Sequence, residues 1–189
     1  MTRTDRKRLS LLGGVTTLAA GAMMVISWGV AVLPRELIWI TVPYGWTLLT
    51  IGFIDLRNHV LHDALVLSLG AAGLVTAWVI EPTSVQEAAL GVVAGAAVFL
   101  LIRYGYCRAR GREGLGLGDV KLIAALGAWV GWQGLASVVL YAAASALIVL
   151  LIGALLGRPP RLGQRLPLGT HLCLGGWLVW LYGPLQVGG

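Results

Sequence analysis

The chain has 189 residues, of which 58% are hydrophobic and 12% charged, and its mean hydropathy is +0.84. A soluble domain averages about 25% charged residues, so this composition excludes an ordinary globular enzyme and describes a polytopic membrane protein. The net charge of +6 is concentrated in basic clusters between apolar runs, the pattern of cytoplasmic loops and of attraction to anionic lipid rather than of nucleic-acid binding.

Taken in chain order, Arg3, Arg6, Lys7 and Arg8 form a basic head. Residues 9–33 are apolar and long enough for a spanning helix, which needs about 20 residues. They exceed the ~7–15-residue core of a cleavable signal peptide, so a retained first span is expected. A turn at 34–36 leads to a second span over 37–54, which ends at Asp55. A polar loop carrying Arg57, His59, His62 and Asp63 precedes a third span over 64–80. The acidic turn 81–87 has no Lys or Arg and leads to a fourth span over 88–102.

Residues 103–118 read as a basic, glycine-rich loop holding Arg103, Arg108, Arg110 and Arg112. A short fifth span follows over 119–132, then a minimal turn at Gln133 and Gly134 and a sixth span over 135–156. The last basic loop, 157–166, carries Arg158, Arg161 and Arg165 and precedes a seventh span over 167–182. The expected architecture is an all-α membrane bundle of about seven helices. With the N-terminus in the cytoplasm the basic clusters all fall inside, and only Arg35 falls outside. Asp55 and Asp119 then share the cytoplasmic side.

Small residues recur at packing distance in Gly91-x-x-x-Gly95 and Gly127-x-x-x-Gly131, a spacing that lets helix backbones approach. The eight Trp read as interface or packing residues. Cys107 and Cys173 form no CxxC pair, so neither a disulfide framework nor a zinc site follows. His59 and His62 have helical ligand spacing without a further ligand set, and no metal is expected.

Asp55 and Asp119 are the informative residues. An ionisable side chain at a bilayer boundary costs free energy and marks a functional site. Asp119 opens its helix, where the dipole favours an anion. The glycines Gly116 and Gly118 just before it leave an uncluttered backbone that an extended substrate could approach. If the second and fifth spans pack together, the two carboxylates meet. One then keeps a proton while the other takes one from water, and the water attacks a peptide carbonyl without a metal or other cofactor.

The segment Gly111-Arg-Glu-Gly-Leu-Gly-Leu-Gly-Asp-Val-Lys-Leu-Ile-Ala-Ala-Leu-Gly-Ala-Trp-Val-Gly-Trp132 closely resembles the second catalytic motif of bacterial type IV prepilin peptidases, aspartic proteases of the GxGD class. Asp55, Leu61 and Asp63 fall on positions of the family's first motif, with His62 where proline is usual. Residues 166–175 are similar to the start of the family's last helix. The resemblance covers roughly residues 45–180. It divides the chain into an N-terminal part (1–44), a catalytic membrane domain (45–183) and a short tail (184–189).

The resemblance implies that Asp55 and Asp119 are the catalytic pair and that Gly116 and Gly118 shape the active-site loop. It implies prepilin or pseudopilin precursors as substrates, cut after a glycine at the cytoplasmic face of the bacterial inner membrane. Many bacterial members carry a cytoplasmic insert with paired CxxC motifs, associated with N-methylation. No such insert is seen here, so cleavage is expected and N-methylation is left open. Lys121 is expected to snorkel to the interface or to tune the aspartates. Asp63 is expected to cap the third span. Asp63 and Glu113 are candidates for contact with a basic leader, and His171 reads as a packing residue. The competing reading is a small transporter that uses the same aspartates as proton or cation sites.

Overall fold

A computed structural model describes residues 35–58, 61–82, 84–111, 114–157 and 167–185. The expected first span therefore lies outside the described residues. A 3-10 turn, Arg35–Leu37, leads into α1 (Ile38–Asn58), followed by α2 (Asp63–Ile80), α3 (Ser84–Arg110), α4 (Leu117–Leu155) and α5 (Leu168–Tyr182). No strand occurs among the described residues. Four helical stretches, 35–58 and the whole of α2, α3 and α4, are long and apolar enough to cross a membrane.

Local chemistry sets the helix ends. α2 stops before Glu81-Pro82, because a residue preceding proline is driven out of the helical region. Ser84 closes that turn, its hydroxyl donating to the carbonyls of Ala77 and Glu81. α3 and α5 end on the left-handed residues Gly111 and Gly183, whose N–H groups donate to Cys107 and Val179, the usual way of satisfying a last carbonyl.

α3 runs farther than the sequence suggests. Residues 103–110, expected as loop, continue the helix. Arginine is a good helix former, and Arg108 and Arg110 sit where the dipole favours cations. Arg103 donates to the Leu115 carbonyl and ties the remaining loop to the helix.

The expected fifth and sixth spans form a single assigned element, α4, so the count of seven helices is not reproduced. The chain nevertheless folds back inside α4. A straight helix would carry Ser145 about 39 Å from Asp119. Instead Ser145 bonds His171 near the start of α5, and Asp119 interacts with Asp55, which is bonded to Thr170. The reversal is at Gly131, with φ 66 and ψ 176, and not at Gln133 and Gly134, which are helical. Only glycine adopts that backbone region at low cost.

The first arm of α4 is the centre of the bundle. Gly91 on α3 lies against the carbonyl of Gly127, and Gly95 against that of Ile123, where an added Cβ would be 3.0 Å from the oxygen. The small-residue spacing thus marks the α3–α4 contact. On the other side Trp129 donates its indole N–H to the Leu69 carbonyl of α2 at 2.8 Å. α5 closes the group. Gly175 lies against Val138 on the second arm, and Gly176 lies against Leu126 on the first.

Leu48, Ile51, Val66, Leu122, Leu126 and Leu172 fill the core, and Tyr44 stacks on Trp129 at 4.2 Å between ring centres. Large apolar side chains such as Trp39, Trp78, Val93, Leu101 and Leu155 face outward, as suits helices whose solvent is lipid.

Candidate active site

Asp55 lies in the last turn of α1 and is only 5% exposed, although the next three residues are exposed. Its seat is the N-terminus of α5. The first N–H groups of a helix have no partner within it and carry the positive end of the dipole. The Thr170 N–H donates to Asp55 Oδ2 at 2.9 Å. The Thr170 hydroxyl lies 3.3 Å from the same oxygen and 2.9 Å from the Gly52 carbonyl. Gly169 makes the seat possible, since a Cβ there would lie 2.9 Å from Asp55 Oδ2 and 3.0 Å from its Cγ.

Asp119 is the third residue of α4, and Gly116 is that helix's N-cap. The Asp119 carboxylate accepts the Gly116 backbone N–H, a reach from third position to cap that helix starts commonly use. Gly116 has φ −69, open to any residue, so what glycine offers there is space beside the carboxylate. A Cβ on Gly116 would lie 3.2 Å from Asp119 Oδ2. A Cβ on Gly118 would lie 3.0 Å from Leu61 Cβ and Cδ1, and one on Gly169 would lie 3.4 Å from the same Cδ1. Leu61 therefore packs between the starts of α4 and α5.

Two helix N-termini thus bring Asp55 and Asp119 near one another, close enough for the Asp55 charge to act on Asp119. Cys173 is buried on α5, three residues beyond Thr170. His171 is itself buried and bonds Ser145 through Nδ1 at 2.9 Å. Beside the Asp55 seat, a mainly apolar cavity of about 430 Å³ opens between α1, α5 and the second arm of α4, lined in part by Gly52, Phe53, Thr170, His171 and Leu174. A carboxylate pair of which one is buried and the other half-buried, next to an apolar cleft, can hold and polarise a water molecule.

The other expected residues fall at the edge. Asp63 does not cap α2, because His62 is the N-cap residue and provides no side-chain bond. Asp63 is the first helical residue, and its carboxylate is 2.7 Å from the Lys121 ammonium. Both side chains are well exposed, at 61% and 42%. Lys121 is therefore engaged by Asp63. His62 is exposed, and its φ of −78 is one that proline also adopts. Glu113 and His59 lie outside the described residues. Cys107 is exposed and Cys173 buried, both as free thiols.

Thr170 and Gly169 were not singled out in the sequence, although they lie within the family-like stretch 166–175. Their available signal was position, just after Pro167 at the start of an apolar run, where free N–H groups gather.

The sequence profile of the type IV leader peptidase family matches residues 43–155, which include both aspartates and both loop glycines. This chain belongs to the type IV leader peptidase family. Among curated relatives, the prepilin leader peptidase/N-methyltransferase of Aeromonas hydrophila is 37% identical over 140 residues, 73% of this chain and 47% of the relative. The protein of the same description from Pseudomonas putida is 33% identical over 170 residues, 85% and 54% of the two chains. That of Burkholderia pseudomallei strain K96243 is 40% identical over 137 residues, 72% and 44%. The chain spans about half the length of the curated relatives it matches. No solved structure matches it. In this leader peptidase family member the Asp55 seat at Gly169 and Thr170 lies beyond the profile match, on a separate helix.

Proposed function

We propose that this chain is a membrane-embedded aspartic endopeptidase that removes the basic leader of type IV prepilin-like or pseudopilin precursors. The observation that carries the proposal is the approach of Asp55 and Asp119 at two helix N-termini, both aspartates lying within the residues matched by the leader peptidase profile. The names of the relatives support prepilins as the substrate class.

In the proposed reaction the carboxylates hold one proton between them. The ionised one takes a proton from a water lodged between them, and the water oxygen forms a bond to the scissile carbonyl carbon. The protonated partner donates a hydrogen bond to the developing oxyanion. Collapse of the tetrahedral intermediate breaks the C–N bond, and the departing amine receives its proton from the carboxyl that took the water's. Gly116 and Gly118 leave room for the substrate backbone beside Asp119.

The site is assigned to the cytoplasmic face of the bacterial inner membrane. Arg57 and the basic end of α3 lie at the same end of the bundle as the aspartates, which supports this orientation. The family match does not favour the transporter alternative.

The test is cleavage of a prepilin leader by purified protein in detergent, where no ion gradient exists. Wild type is expected to cleave. Asp55→Asn and Asp119→Asn are each expected to lose at least about a thousandfold in kcat while remaining folded, since neither residue can act without the other. Persistent cleavage by either variant would refute the two-carboxylate mechanism. Failure of wild type on every prepilin-like substrate would refute the assignment.

A further inference from the structure

Asp55 projects from the C-terminal end of α1, where the helix's own dipole offers a carboxylate no support. Support reaches it instead from Thr170 of another helix. Thr170 makes two kinds of contact. Its backbone N–H donates to Asp55 Oδ2 at 2.9 Å. Its hydroxyl stands between that oxygen, at 3.3 Å, and the Gly52 carbonyl, at 2.9 Å.

A hydroxyl has one hydrogen and two lone pairs. It can donate to Gly52 while its lone pairs face Oδ2, or turn and donate to Oδ2. The first arrangement suits a carboxyl that carries the proton on Oδ2, and the second suits a carboxylate. Valine, of nearly the same shape, offers neither. Gly169 lets the carboxylate reach this residue, because a side chain there would collide with it.

We propose that Thr170 is the positioning residue for Asp55, its hydroxyl following the carboxyl group between protonation states and keeping it in register with Asp119. The inference rests on the peptidase reading and adds a residue beyond the 43–155 profile match. Thr170 does not touch the scissile bond in this scheme. It acts through Asp55, and a catalytic geometry displaced by a fraction of an ångström loses rate without losing substrate binding.

The experiment measures kcat and KM of Thr170→Val, Thr170→Ala and Thr170→Ser on a prepilin leader peptide in detergent, with melting temperature as the folding control. Val and Ala are expected to lower kcat about tenfold with KM unchanged, and Ser to restore it to within about twofold. A structural role alone would lower melting in Val and Ala together and would give no split between kcat and KM. Wild-type kcat in Thr170→Val or Thr170→Ala, or a Ser variant as slow as these, would overturn the proposal.

A second readout needs no turnover. Modification of Asp55 by a hydrophobic carbodiimide, followed by mass spectrometry, is expected to change at least threefold in Thr170→Val, while modification of Asp119 changes less than Asp55. Identical Asp55 modification in wild type and Thr170→Val would overturn the positioning role even if no leader is ever cleaved. Absence of cleavage by wild type alone would refute the peptidase reading and leave this readout to decide the role of Thr170.

Discussion

Gly118 and Gly116 show how the site depends on single missing atoms. Leu61 occupies the space beside Gly118, and the Asp119 carboxylate occupies the space beside Gly116. Gly118→Val must push Leu61 aside from between two helix starts. Overpacking of this kind costs about 1–3 kcal/mol, so a lower melting temperature and reduced leader cleavage are expected together. The Lys121–Asp63 pair is different in kind. Both side chains are well exposed, and such pairs contribute about 0.2–1 kcal/mol before screening. Lys121→Ala is therefore expected to shift melting little and to leave cleavage within about threefold of wild type. A fall in kcat of a hundredfold would instead establish Lys121 as a tuning group for the aspartates.

Among the elements, α4 carries the architecture. Its first arm presents Asp119 at one end and packs by glycine against α3 at Gly127. At Gly131 it uses a backbone conformation that other residues adopt only under strain. Gly131→Ala is expected to destabilise by about 1–3 kcal/mol through backbone strain alone, since an added Cβ would meet nothing closer than 3.8 Å. Gly91→Ala fails for the opposite reason, because its backbone is unstrained and its Cβ would strike the Gly127 carbonyl. Gly105 is the control. It lies in α3 with open space around it, so Gly105→Ala is expected to be neutral or stabilising by up to about 1 kcal/mol. Melting curves of the three variants in one detergent compare strain, collision and helix propensity directly.

At the scale of the whole molecule, orientation decides which compartment reaches the aspartates. Arg103, Arg108 and Arg110 lie near the end of α3, and the Arg103–Leu115 bond joins that end to the start of α4. Cys107 is exposed in the same stretch, and Cys173 is buried. A membrane-impermeant maleimide is expected to label Cys107 in inside-out vesicles and not in intact spheroplasts, and to leave Cys173 unlabelled in both. Labelling of Cys107 in spheroplasts would invert the topology and carry the aspartates to the outer face.

The membrane class, the helical content, the two aspartates, the glycines before Asp119 and the small-residue packing spots were legible because each leaves a local mark. Apolar length reports a span, a charge beside it reports a boundary, and glycine at four-residue spacing reports a close helix contact. The end of α3 and the division of α4 were less legible. Arginine is compatible with both loop and helix, and the Gln133-Gly134 pair resembles a turn as much as Gly131 does. The Asp55 seat was not legible at all as a contact. Thr170 lies 115 positions from Asp55, and no local pattern states that the start of α5 will meet the end of α1. Residue type and position were enough to mark the side chains too costly to place in a membrane without a purpose. Which helix ends meet depends on the packing of several helices at once, and it is that packing which brings Asp55 to Thr170 and near Asp119.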